Sequence, residues 1–207
     1  MAKMKEVQLI NIPALKIQRI TLNIIGDTGL ISHAWADKAI KEIQGKQAGA
    51  PKQGREKRDP QGDYASSLYW LDKKGNLIKP LNKDPNEHGM FGFKTIAFKA
   101  AAITAANDVG VKMTEARRWF RVLGEYVPLE FDRIEFRTDS VKIGMGTTDL
   151  RYRGEFVNWK CKLEIEYNAS IVNAAQITNL FNTAGFGVGV GEWRPQRNGI
   201  NGCYHIA

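Results

Sequence analysis

Basic and aromatic side chains, more than any catalytic set, carry the chemical signal of this sequence. Lys46, Lys52, Arg55, Lys57 and Arg58 crowd a stretch, 45–63, that holds no large apolar residue and is dense in Gly, Pro and Gln. A segment of that composition cannot pack a core and reads as a mobile basic loop. Flexible lysines and arginines contact phosphates without reading sequence, and rings beside them stack on bases. Tyr69 and Trp70 follow the loop and are the leading stacking candidates. Arg117, Arg118 and Arg121 flank Trp119 and Phe120 further along. The rings there read as core anchors, and the arginines serve equally as a phosphate contact or as a solvated face. Arg194 and Arg197 lie just beyond the glycine-rich run 185–191. So many glycines cost stability unless a backbone must come close to something. A phosphate chain, a bulged strand edge and a tight intersubunit contact all meet that condition.

Catalytic constellations are weak by comparison. His33, His88 and His205 show no HExxH, HxH or Cys/His spacing, so no metal site and no cofactor is expected. His33 would serve as a general base if it faced a substrate, although a lone histidine at a helix start is more often structural. Cys161 and Cys203 are far apart and form neither a CxxC pair nor a disulfide framework, which points to a reducing compartment. Glu164 and Glu166 are the closest carboxylates, on what reads as the solvent face of a strand. No GxSxG elbow or phosphate-binding GxxxxGK[ST] loop is present.

The chain that must position these groups has 207 residues and a net charge of +8. That length suits a single domain with an insertion, and the charge favours an anionic partner such as nucleic acid. Charged residues recur through 1–20 and no stretch approaches the ~20 apolar residues of a membrane span, so a cytoplasmic protein without membrane contact is expected.

Residue patterns predict a strand over 15–25 and a helix over 33–43 capped by Ser32. A β-hairpin around 72–76 is expected next, then an alanine-rich helix over 93–109 and a second helix over 114–123. Strands over 133–145 and 156–168, a helix over 170–182 and a last strand through 185–193 complete the series. Without the insertion, 45–90, the order is that of an α+β, ferredoxin-like fold, the split βαβ pattern also seen in RRM domains.

That order, the glycine-rich GFGVGVG and the Lys-bearing helix GFKTIAFKAAAITAA resemble the RAMP superfamily of CRISPR-associated RNA-binding proteins, especially the backbone subunits that coat guide RNA. Lys94-Thr95-Ile96 stands where the family often has Pro-Gly-Ser. A cellular and a phage-borne relative would both fit. The resemblance implies a crescent-shaped protomer, an inserted thumb over 45–90, and protomers repeating along RNA beside other ribonucleoprotein subunits. It implies phosphate contacts from Lys99, the loop from Lys46 to Arg58 and Arg194, and Lys94 beside that helix is a further candidate contact.

The expectation is therefore a non-catalytic RNA- or single-strand-binding subunit that oligomerises along its ligand. Two alternatives stay open: an RNA-processing endonuclease of the same superfamily using His33, and a viral structural or assembly protein.

Overall fold

A computed structural model describes residues 14–35, 37–49, 58–86, 89–144 and 146–207. The chain runs β1 (Ile17–Gly26), β2 (Leu30–Ser32), α1 (Asp37–Gln47), α2 (Pro60–Ser66), β3 (Tyr69–Leu71), β4 (Leu77–Ile78) and β5 (Met90–Lys94). It continues with α3 (Thr95–Ala106), α4 (Met113–Ala116), β6 (Phe120–Val122), β7 (Tyr126–Pro128), β8 (Arg133–Ile143), β9 (Thr147–Val157), β10 (Lys160–Asn168), α5 (Ala174–Gly187) and β11 (Tyr204–Ile206). The architecture is mixed α+β with antiparallel sheets.

The main sheet has the order β11-β1-β10-β6, every neighbouring pair antiparallel. Leu22 and Ile24 of β1 lie level with Leu163 and Cys161 of β10, and all four are buried. The alternate residues Arg19, Thr21 and Asn23 stay exposed, as period-two patterning requires of a sheet with one covered face. α3 and α5 pack on each other, α3 also against β6 and α5 against β11. α3 is apolar nearly all round and buries Phe98, Ala101, Ala102, Ala105 and Ala106, while Asn173 and Gln176 form a reciprocal capping box at the start of α5.

A second sheet, β2-β9-β8, is dominated by the long β8–β9 hairpin, and a third has the order β4-β3-β5-β7. One hydrophobic cluster spans all three, from Leu22 and Leu163 through Phe98 and Phe181 to Trp70, Phe91 and Phe156. Among the described residues no helix is long and apolar enough to cross a membrane.

Several elements differ from the sequence expectation. Ser32 ends a strand and donates its hydroxyl to the Ser67 carbonyl, so it caps no helix; α1 starts at Asp37, and Trp35 ahead of it is 68% exposed. The expected thumb includes Tyr64, Ala65, Leu68 and Trp70, all of which belong to the hydrophobic core, so α2 and β3 pack against the body of the protein. The helix expected over 114–123 stops at Ala116, and β6 follows because Phe120 and Val122 alternate with Arg121 and pair with β10. The strand read over 156–168 is two strands turning at Asn158, whose φ of 53° is a left-handed value that asparagine tolerates.

The glycine-rich run ends α5 and enters a loop instead of forming a strand. Of its glycines, Gly185, Gly189 and Gly191 lie against other parts of the chain, whereas a Cβ on Gly187 would meet nothing within 4 Å. A Cβ on Gly185 would lie 1.9 Å from the Tyr204 carbonyl oxygen, and one on Gly202 would lie 1.7 Å from that of Val190. Val190 N–H donates to Gly202 and Gly202 N–H to Gly29, so backbone lies on backbone from β1 to the carboxyl-terminal loop.

Candidate nucleic-acid interface

The register of the main sheet assembles a cationic corner. Arg19 and Arg121 both lie opposite Glu166, one on each flanking strand. Ala169 N–H donates to the Lys16 carbonyl at 2.7 Å and Asn168 N–H to that of Trp119 at 2.8 Å. These bonds bring Lys16, Arg19, Arg117, Arg118 and Arg121 to one end of the sheet, all exposed. Arg19 is held by Glu166, donating from Nε at 2.9 Å and Nη2 at 2.6 Å. Among the described residues, Lys16, Arg117, Arg118 and Arg121 are in no ion pair. Unpaired cations gathered so closely repel one another, and an anion seated there relieves that repulsion. Trp119 lies half-buried between the arginines, packed on the core, and Phe120 is buried.

The open face of this sheet also carries Lys160, Lys162 and Glu164 beside Thr21, Asn23 and Ile25. Among the described residues it carries no phenylalanine, tyrosine or tryptophan, and its one ring, the His205 imidazole level with Ile25, is tied to Asp27 at 2.6 Å. Stacking positions must therefore be sought elsewhere.

They occur on the third sheet. By register, Tyr69, Leu71, Leu77, Met90, Lys94, Tyr126 and Pro128 share its outer face, while Trp70, Phe91, Phe93 and Val127 belong to the core side. The pleat thus divides the two expected stacking residues. Trp70 is 1% exposed, donates Nε1–H to the Ala65 carbonyl and packs edge-on against Phe91, so it offers no face to a base. Tyr69 is half-buried, with its ring centre 5.5 Å from that of Tyr126 and 5.5 Å from Lys94 Nζ. Burial first, then the neighbouring Tyr126 and Glu192, push the Tyr69 hydroxyl up to about 12. An open groove of about 790 Å³ adjoins this face, lined by Lys73, Lys74, Leu77, Met90, Glu125 and Tyr126 among others.

The remaining expected contacts are dispersed. Lys52, Arg55 and Lys57 lie outside the described residues, and Lys46 is exposed in the last turn of α1. Arg58 is already occupied: it pairs with Asp149 at 2.6 Å and Asp63 at 3.2 Å, donates to the Leu150 carbonyl and lies over the Tyr152 ring. The Asp149 hydrogen bond raises its pKa further. Arg58 therefore ties α2 to β9. Lys99 is half-buried on α3. Arg194 folds back onto the Gly191 carbonyl and the Gln196 amide oxygen, beside a crevice of about 130 Å³ between α3 and residues 188–191. Arg197 is exposed.

His33 lies part-exposed at the edge of a polar network whose centre, Asp139 and Arg153, is buried. Its Nδ1 lies 3.5 Å from Glu192 Oε1 and 3.4 Å from Arg153 Nη2. Arg153 also reaches Asp139 at 3.4 Å, and Arg137 bridges Asp139 at 3.1 Å and Glu155 at 2.6 Å. The contact with His33, aided by the charges of Arg153 and Arg194 and opposed by burial, holds the Glu192 carboxyl below its ordinary range. The network fastens the loop after α5 to β2, β8 and β9. Among the described residues no group of His, Cys, Asp and Glu is arranged to hold a metal ion.

Lys16 and Arg19 were missed from sequence because the corner joins them to Arg121, about a hundred residues on, through Glu166 of β10. The signal available was the alternation of Arg19, Thr21 and Asn23 with Leu22 and Ile24, which marks an open polar face.

No family model matches the sequence, and no curated protein does. Among solved structures, this one is similar to a chain of a CRISPR RNA-guided surveillance complex at 10% sequence identity and a TM-score of 0.34, a likeness that covers 90% of this chain and 66% of that one.

Proposed function

We propose that the protein is a non-catalytic subunit that binds RNA or another single strand and oligomerises along it, within a ribonucleoprotein of the CRISPR type or a phage-borne counterpart. The observation that carries this reading is the corner where Lys16, Arg117, Arg118 and Arg121 stand exposed and, among the described residues, in no ion pair. Its basis is electrostatic: phosphates replace released counterions at such a surface. The strand order β11-β1-β10-β6, with α3 following β1 and α5 following β10, supports a ferredoxin-like core of the RAMP kind. In that reading the segments between β1 and α3, and between β6 and β10, are elaborations on the core.

The test is anisotropy titration of a labelled single-stranded RNA across a salt series. Changing Arg117, Arg118 and Arg121 together to Gln is expected to weaken binding for every sequence tried. The salt slope should fall by roughly 0.7 for each lost phosphate contact. An unchanged slope would remove the corner from the site. RNA cleavage that stops in His33→Ala would replace this reading with a ribonuclease, and assembly indifferent to nuclease and salt would replace it with a structural protein.

A further inference from the structure

We propose that the outer face of the third sheet, with Tyr126 and Tyr69 as its rings and the groove beside Lys73 and Lys74, seats the bases of a single-stranded nucleic acid. This inference rests on the reading above and adds the place where bases stack. A backbone-tracking protein needs both a cationic track and π-faces. The main sheet supplies cations on its open face, and its one ring there among the described residues is the His205 imidazole, held by Asp27. The third sheet supplies both.

Tyr69 and Tyr126 are tilted by 44° to one another, with Lys94 over the Tyr69 ring, which leaves Tyr126 on the groove side of the pair. The groove offers apolar surface, since Leu77 is 50% and Met90 46% exposed. Its volume of about 790 Å³ falls within the range of ligand sites, about 300–1,000 Å³. One rim is the turn that joins β3 to β4. There Asp72 accepts the N–H groups of Lys74 and Asn76 and the Asn76 side-chain amide, so its carboxylate is spent on the turn. Lys73 and Lys74 remain exposed and in no ion pair among the described residues. Among the described residues Glu125 is the one carboxylate lining the groove. The lysines of the turn and the apolar, ring-bearing surface of Leu77, Met90 and Tyr126 complement a strand that carries phosphates outside and bases inside.

The test compares a labelled oligouridylate with an abasic strand of equal length, bound to the wild-type full chain, Tyr126→Leu, Tyr126→Phe and Lys73→Gln/Lys74→Gln. Tyr126→Leu should weaken oligouridylate binding by roughly 5-fold to 100-fold, the range of one lost stack, and leave the abasic strand unaffected. Tyr126→Phe should retain wild-type affinity, and circular dichroism should show every variant folded. The lysine pair lies in an exposed turn, and its loss should weaken both strands and flatten the salt slope. Wild-type binding that Tyr126→Leu and the lysine pair leave intact overturns this inference while the cationic corner stands. No binding by the wild type overturns both. Capture of poly-glutamate, with oligouridylate excluded, would make the groove a site for acidic peptide and overturn the inference as well.

Discussion

Asp139→Ala is expected to destabilise the fold by about 3–5 kcal/mol, the cost of leaving buried charge without its partner. Asp139 is 8% exposed and accepts from both Arg137 and Arg153, the latter 4% exposed. The Nε atoms of both arginines are already buried without a hydrogen-bond partner. A guanidinium cannot shed its proton to escape, whereas a stranded carboxylate can take one up. Removing the acid therefore costs more than removing one base. Arg153→Met, which refills the space and leaves Asp139 with Arg137, should be milder. Urea denaturation of the three proteins measures the order, and a variant Asp139→Ala as stable as wild type would show the network to be ornamental. Glu192 adds an acid limb. Its folded pKa is depressed, so its contribution is complete above the unfolded carboxylate value and is lost as pH falls through the folded one.

Trp159→Ala should cost a similar amount, about 3–5 kcal/mol, because a large ring leaves a cavity that backbone cannot fill. Trp159 is wholly buried, and its ring centre lies 6.3 Å from those of Phe98 and Tyr204. Its Nε1 donates to the Thr28 carbonyl at 2.8 Å. Gly26 is shaped around it: a Cβ there would lie 2.2 Å from the indole nitrogen. The side chain thus joins β1, the turn after it, α3 and β11. A fall in melting temperature with unchanged wild-type-like oligonucleotide affinity at low temperature is the expected result. Retained thermal stability would contradict the packing argument.

Where one physical signal dominates locally, the sequence is legible. β1, α3 and the β3–β4 hairpin follow from β-branched runs, alanine content and turn residues, and they form where expected. Misreadings arose where two signals competed. Arg117 to Val122 has helical spacing on paper, but Phe120 and Val122 gain more by lying beside Tyr167 and Ile165 of a strand far along the chain. The glycine-rich run left a ligand, a bulged edge and an intersubunit contact equally open, and what comes close to Gly185 and Gly191 is backbone of the same chain, at Tyr204 and Ile31. Trp70 and Tyr69 differ only in pleat direction, which depends on pairing with Phe91 and Gly92. The candidate interface is likewise a product of register, since Lys16, Arg19 and Arg121 become neighbours only through β10.

The two thiols have unequal surroundings, and this gives the molecule a built-in labelling handle. Cys161 is buried in β10, where burial, with Glu130 nearby, pushes its pKa up to about 12. Cys203 lies part-exposed just before β11. Alkylation depends on thiolate and access, so a maleimide dye should enter the native chain at Cys203 alone. A fluorophore at that one position could report ligand arrival or protomer contact on the unmutated protein.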